Sequence, residues 1–237
     1  MITVLAVPGV LVAGQVLALD DEELHHLDVR RAEAGEVVEA VDGTGIRARG
    51  SLERVGKRLA LRVDSVQHEP APPVTILGLG AGDRERFGQV ADQAAALGAT
   101  SVIPLETERS RSVATRLRTD HLERMQRRIT DALKQCGSAW SPTLAPLTSF
   151  AIWTTGTMPG ACWLADADGG PAPALGSDEA VTIAVGPEGG FTGDERARLL
   201  AAGFTPVRCA PEVLRFETAA LAALTTAWQA RRRGSHG

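Results

Sequence analysis

The chain has no tyrosine among its 237 residues, and its other aromatics are five phenylalanines and four tryptophans. Any contact with nucleic acid therefore has to rest on arginine rather than on stacked tyrosine rings. Cysteine is scarce: Cys136, Cys162 and Cys209 are far apart and odd in number, with no CxxC spacing. That pattern excludes a disulfide framework and a zinc site, and it fits reduced thiols in a cytoplasmic protein. No Lys or Arg precedes Arg30, and Pro8, Gly9, Gly14 and Gln15 break up the apolar opening stretch. The opening reads as strands of a small β-domain, neither a signal peptide nor a membrane span. No His/Cys/Asp cluster offers a metal site, and His25-His26 reads as a surface feature of that β-domain.

What is present is an ordinary globular composition, 44% hydrophobic and 23% charged, in a chain long enough to bury a full core. The net charge of −4 argues against attraction to RNA over the whole surface. The charge is uneven, however. Residues 1–73 carry 8 basic and 12 acidic side chains, whereas residues 74–237 carry 17 of each. Within the second part, Arg84 to Lys134 holds 10 basic against 7 acidic residues, the place to expect a basic face.

Gln67-His68-Glu69-Pro70-Ala71-Pro72-Pro73 divides the chain, because three prolines in four residues continue neither a ladder nor a helix. Residues 1–69 read as a compact β-barrel, with runs such as Val37–Val41 and Leu59–Val63 and a turn at Asp42-Gly43-Thr44-Gly45. One short helix is expected from Asp21 to Leu27, capped by Asp20 or Asp21. Residues 74–237 alternate strands and helices. Strands are expected at Val74–Leu79, Ser101–Leu105, Ala161–Ala165, Val181–Val185 and Thr205–Cys209. Helices are expected at Arg84–Leu97, at His121–Cys136 with Asp120 and Glu123 in capping-box positions, from Thr192 to Gly203, and from Phe216 to Arg232. The fold class is α/β, a mostly parallel sheet with helices on both faces.

In an open α/β sheet, ligands bind beyond the carboxyl ends of the strands. Three such ends are unusual: Leu164-Ala165-Asp166, Gly186-Pro187-Glu188-Gly189-Gly190, and Cys209-Ala210-Pro211-Glu212-Val213-Leu214-Arg215. Glycine lets the backbone approach a ligand closely, and a following helix start leaves free N–H donors. A tight turn at GPEGG and a surface salt bridge at Arg215 and Glu217 are the plain structural alternatives.

The string GPEGGFTGDE, followed by LRFETAA, closely resembles the RsmE family, the 16S rRNA uracil-N3 methyltransferases of the SPOUT superfamily. His26-Leu27-Asp28-Val29-Arg30-Arg31 with Gly35 and Asp42-Gly43 resembles that family's PUA-like β-barrel. Leu97-Gly98-Ala99, Pro104 to Ser110, Gln135-Cys136-Gly137 and Pro142 resemble its further landmarks. The resemblance implies a C-terminal SPOUT trefoil-knot α/β domain over 74–237, S-adenosyl-L-methionine as cofactor, a homodimer, and 16S rRNA in the small ribosomal subunit as partner. It also implies that Leu164, Ala165, Gly186, Pro187, Gly189, Cys209, Ala210, Val213 and Leu214 bind the cofactor. Glu188, Arg215 and Glu217 are then the catalytic candidates, and Arg30, Arg31, Arg84, Arg86, Arg109 and Gln135 the substrate-binding ones.

The implied chemistry suits these residue types. Uracil N3 carries a proton that must leave before methylation; a carboxylate can accept it and a guanidinium can stabilise the anion. Three other readings stay open at this point. The acceptor could be another RNA or a small nucleoside- or peptide-like molecule, or the chain could be a non-catalytic RNA-binding module. Alternatively, Gly78-Leu79-Gly80-Ala81-Gly82 could be the glycine loop of a Rossmann-type methyltransferase, with Glu106 reaching a ribose.

Overall fold

A computed structural model describes residues 1–114, 117 and 119–234. The elements run β1 (Ile2–Leu5), β2 (Val16–Ala18), α1 (Asp21–Val29), β3 (Val37–Val41), β4 (Ile46–Val55), β5 (Arg58–His68), β6 (Thr75–Gly80), α2 (Arg84–Ala94), β7 (Ser101–Glu106) and α3 (Arg111–Ala114). They continue through α4 (Thr119–Cys136), β8 (Thr143–Leu144), β9 (Thr148–Ser149), α5 (Phe150–Trp153), β10 (Ala161–Gly170), β11 (Val181–Val185), α6 (Gly193–Ala201), β12 (Thr205–Val207) and α7 (Phe216–Gly234). Two units emerge. The first comprises Met1–Ala71 with Thr130–Ser141, the second Pro72–Ile129 with the residues from Pro142 onward.

The first unit is a five-stranded sheet in the order β1-β3-β4-β5-β2, antiparallel except for the parallel pair β1 and β3. Alternate residues of its strands, among them Val38, Ala40, Ala48, Leu52, Leu61 and Val63, turn inward onto Leu27 of α1, as period-two burial requires. The sheet bends at a bulge between Arg49 and Gly50, where a Cβ on Gly50 would collide with the Arg62 carbonyl. Asp20 caps α1 by accepting the Glu23 N–H at 2.8 Å. The Asp42 turn closes on its own carboxylate, which accepts the N–H groups of Thr44 at 2.8 Å and Ile46 at 3.0 Å.

Segment 130–141 completes this unit through contacts that the linker-based division at residue 69 did not foresee. Lys134 Nζ lies 2.8 Å from Glu23 Oε1, with that lysine side chain 12% and that glutamate 4% exposed. Glu23 Oε2 accepts the Leu5 N–H at 3.1 Å. The Trp140 ring lies against Gly45, whose N–H donates to the Ala139 carbonyl at 2.8 Å.

The second unit is a seven-stranded, all-parallel sheet in the order β12-β10-β11-β6-β7-β8, with β9 also on β7. Residues 181–185 of β11 are all buried, the pattern of a strand covered on both sides. On one face, Val181, Ile183 and Val185 pack with Phe87 and Val90 of α2 and Ala220, Leu224 and Ala227 of α7. On the other, Ala184 and Leu164 pack with Phe150, Trp153 and Leu199 of α5 and α6. This is the expected α/β layering.

Some boundaries differ from expectation. α4 starts at Thr119, so Asp120 lies inside the first turn and accepts from Arg124 Nη2 at 2.9 Å instead of capping. β10 continues to Gly170 rather than stopping at Ala165, and β12 ends at Val207. The expected Thr192–Glu195 capping box is present: Glu195 N donates to Thr192 Oγ1 at 3.2 Å, and Thr192 N donates to Glu195 Oε2 at 2.9 Å. Among the described residues, no helix is long and apolar enough to cross a membrane.

Candidate active site

The carboxyl ends of three neighbouring strands, β12, β10 and β11, open onto one cavity of about 450 Å³, within the size range of small-molecule sites. Residues 164–168, 185–191 and 212–214 line it, together with Arg196, Cys209, Ala210, Phe216 and Ala219. All nine residues expected to bind the cofactor are on this wall: Leu164, Ala165, Gly186, Pro187, Gly189, Cys209, Ala210, Val213 and Leu214. Burial pushes the Cys209 thiol up, against a smaller opposing effect of the Thr226 hydroxyl, so it stands on the wall as a neutral, weakly polar group.

The loop after β11 is bent by a 2.7 Å hydrogen bond from Gly190 N to the Pro187 carbonyl, with Gly190 at φ 69°. A Cβ on Gly186 would stand 2.9 Å from the Phe191 nitrogen, so the fold of this loop needs bare backbone there. The loop also leans on the end of β6. Gly80 lies so close to Pro187 that a Cβ would clash with its backbone nitrogen, and Gly82 sits beneath the Glu188 carboxylate. Glu188 Oε1 accepts the Asp83 N–H at 2.9 Å. The glycines of Gly78-Leu79-Gly80-Ala81-Gly82 thus make room for Trp153 and for the β11 loop. That space is filled by protein and not left open for a ligand, which removes the Rossmann-type methyltransferase alternative.

A second support comes from the turn after β7. Glu195, 7% exposed, uses Oε1 to accept the Glu108 N–H at 2.8 Å while Oε2 caps α6. Arg109 Nη1 donates to the Gly189 carbonyl, and lies 3.5 Å from that of Phe191. Arg109, expected at the substrate, here holds the loop after β11. Thr107 and Ser110, each 1% exposed, close the turn between them through a 2.9 Å hydroxyl–hydroxyl bond.

Of the three catalytic candidates, Glu188 lines the cavity, whereas the side chains of Arg215 and Glu217 are not part of its wall. They flank Phe216, which is. Arg215 is exposed. Glu217 Oε2 is buried without a hydrogen bond among the described residues, its nearest cation being Arg86 Nη1 at 3.9 Å. Arg84 Nη1 donates to His121 Nε2 at 2.7 Å. Arg30, Arg31 and Gln135 belong to the first unit and are exposed. Arg31 has φ 54°, the one positive value outside glycine among the described residues.

Four charged wall residues escaped the sequence reading as site residues: Asp166, Asp168, Glu212 and Arg196. Asp168 lies in the part of β10 beyond its expected end, so its register was not legible. Arg196 follows the residue that completes the capping box, which placed it on the first turn of α6 but did not indicate a ligand. The wall suits S-adenosylmethionine electrostatically. That ligand carries a sulfonium, an ammonium and a carboxylate, and the wall offers Asp166, Asp168, Glu188 and Glu212 against one guanidinium.

Residues 69–228 match a family model described as an RNA methyltransferase domain, and residues 19–63 match one described as an RNA methyltransferase PUA domain. The chain is 32% identical over 222 residues to the ribosomal RNA small subunit methyltransferase E of Synechocystis sp., covering 88% of this chain and 71% of that one. Its fold is similar to the crystal structure of a ribosomal RNA small subunit methyltransferase E from Neisseria gonorrhoeae bound to S-adenosyl methionine. That match has a TM-score of 0.83 and 25% identity, with 97% of each chain covered. A solved chain from Legionella pneumophila holding SAM is 28% identical, with a TM-score of 0.77 and 97% of each chain covered.

Proposed function

Because the chain belongs to the RNA methyltransferase family, of the ribosomal RNA small subunit methyltransferase E type, we propose that it methylates N3 of a uridine in 16S rRNA. Its second unit is a SPOUT α/β domain and its first contains a PUA-like β domain. The observation that carries the reading is the single cavity at the ends of β12, β10 and β11, walled by all nine expected cofactor residues. S-adenosylmethionine, when bound there, supplies a methyl group on a sulfonium centre that a nucleophile can attack.

The chain's own residues have the remaining work. Gly186 and Gly189 stand on the cavity wall, and the side chains they lack leave room for the turn at Gly190 and Phe191 and for Arg109, which hold the β11 loop in the shape that faces the ligand. Glu217 is our candidate for holding the uracil N3 proton, since its buried, unbonded oxygen is an acceptor in need of a donor. Arg215, exposed beside the cavity residues Leu214 and Phe216, is our candidate for stabilising the resulting anion. Glu188 ties the β11 loop to Asp83 and adds negative charge facing the cofactor.

The reading includes a trefoil knot through these loops, a homodimer and action in the cytoplasm, where the rRNA is. Support for the dimer is Val213, which lines the cavity yet is 83% exposed, an apolar edge that a second copy would cover. The test is to map modified nucleosides in 16S rRNA from cells with and without the gene. N3-methyluridine should vanish on deletion and return on complementation; if it persists unchanged, the assigned acceptor is wrong.

A further inference from the structure

The cavity wall contains one cationic side chain among the described residues, Arg196, on the first turn of α6. Its Nε donates to Asp166 Oδ2 at 2.7 Å. Asp166 is itself held by its own loop, since its Oδ1 accepts the Asp168 N–H at 3.0 Å, and its side chain is 14% exposed. Both oxygens of Asp166 are therefore occupied, and the guanidinium is fixed at one edge. Its terminal nitrogens make no hydrogen bond among the described residues, and the side chain keeps 43% of its surface. A guanidinium anchored through Nε presents its two terminal N–H groups as a planar fork, the geometry that binds a carboxylate in bidentate fashion.

We propose that Arg196, positioned by Asp166, is the subsite for the carboxylate of the methionyl arm of S-adenosylmethionine. The inference rests on the methyltransferase reading and deepens it. The ligand has one anionic group and two cationic ones. The wall has one guanidinium and the carboxylates of Asp166, Asp168, Glu188 and Glu212. Beside Asp168, Glu188 or Glu212 the methionyl carboxylate would face like charge, at a Coulombic cost in a partly enclosed site, and Arg196 is the cation on the wall itself. Placing it at Arg196 satisfies the donors that the structure leaves open and orients the arm, leaving the sulfonium for the remainder of the cavity. Arg196 would thereby distinguish amino-acid-bearing adenosyl ligands from those without that arm.

The experiment is calorimetric titration of the wild-type protein, Arg196→Ala and Arg196→Lys with S-adenosylhomocysteine and with methylthioadenosine. Both ligands share the adenosyl thioether, and only the first bears the amino-acid arm. For Arg196→Ala the affinity for S-adenosylhomocysteine should fall about 10- to 100-fold, as loss of a charge-assisted pair implies, while methylthioadenosine changes less than about twofold. Arg196→Lys, a point charge without the fork, should recover part of that loss. Equal losses for both ligands would mean that the Asp166–Arg196 pair only shapes the loop, and no loss for either would mean that the carboxylate lies elsewhere; each outcome overturns the assignment. Preserved methylthioadenosine binding also reports a folded pocket. Failure of the wild type to bind S-adenosylmethionine at all would instead sink the methyltransferase reading itself, so the two failures are separable.

Discussion

Glu108 and Glu195 stand 87 residues apart in the chain, yet the backbone N–H of the first donates to Oε1 of the second at 2.8 Å. The same carboxylate caps α6 through Thr192. One buried side chain thus ties the turn after β7 to the helix that follows the β11 loop. Glu195→Ala leaves two N–H groups without acceptors and should cost about 2 kcal/mol of stability, read from the denaturation midpoint. Affinity for S-adenosylmethionine should fall with it, because the loop at 186–191 loses a support. An Ala variant with wild-type stability would show that water replaces the carboxylate.

Arg109 is where the structure redirects an expectation. The family resemblance placed it among the substrate-binding residues, but the guanidinium donates to the Gly189 carbonyl. Arg109→Ala should therefore raise KM for S-adenosylmethionine about tenfold. It should leave the slope of log K against log salt for RNA binding unchanged, since no phosphate contact is lost. A flatter slope with unaltered cofactor affinity would return Arg109 to the RNA.

The alternation of β6, β7, β10, β11 and β12 with helices was legible because buried parallel strands are continuous apolar runs, and because capping residues such as Thr192 and Glu195 act locally. The loop after β11 was legible because glycine at a strand end carries its own signal; Leu164–Asp166 and Cys209–Arg215 contain no glycine, and their place at the cofactor followed from the family resemblance. Long-range side-chain choices were not. Lys134 lies in the last turn of an amphipathic helix, where a lysine suits the helix dipole. Nothing in the local pattern announces that it meets Glu23, 111 residues earlier. Likewise Gly80 and Gly82 look like the glycine loop of a Rossmann-type methyltransferase until Pro187 and Glu188 are seen to occupy the space that their missing side chains leave.

Arg31 closes α1 in a left-handed conformation, with φ 54° and its N–H on the Asp28 carbonyl at 2.9 Å. That is a position glycine favours, and a non-glycine residue there costs about 1 kcal/mol. Arg31→Gly should accordingly stabilise the protein by roughly 0.5–1 kcal/mol in chemical denaturation. If the arginine is retained for RNA, the same variant should lower the salt slope of RNA binding by about 0.7–0.9, the signature of one lost phosphate. Stabilisation with an unchanged slope would remove Arg31 from the RNA surface.

The Lys134–Glu23 pair makes a statement about pH. Burial works against the lysine charge, but the Glu23 and Asp131 carboxylates outweigh it and hold its pKa above the ordinary lysine value. A base whose folded pKa is raised contributes stability that is complete below its unfolded pKa, about 10.4, and is lost as pH climbs through the folded value. Lys134→Met strands the Glu23 carboxylate and should cost about 3 kcal/mol near neutrality. The difference from wild type should hold steady from neutral pH to about 10 and shrink above it, as followed by urea denaturation across that range. A gap that widens with alkalinity would contradict the pairing.

Glu217 and Arg215 bracket Phe216, so a substitution at either acts beside the cavity wall without removing any of it. If Glu217 holds the N3 proton, Glu217→Gln should lower kcat by about 100-fold or more, the usual worth of a general base. It should leave calorimetric affinity for S-adenosylmethionine within about twofold, because the amide keeps the shape and still fills the buried position of Oε2. The base assignment also predicts that raising the pH rescues the variant, since uracil in solution loses its N3 proton on its own in alkali. Arg215→Ala should lower turnover too, but without alkaline rescue, because the missing group there is the cation that stabilises the anion and not the acceptor of the proton. Equal pH profiles for the two variants would break this division of labour, and a loss of cofactor affinity matching the loss of turnover would reduce both residues to scaffolding for the loop.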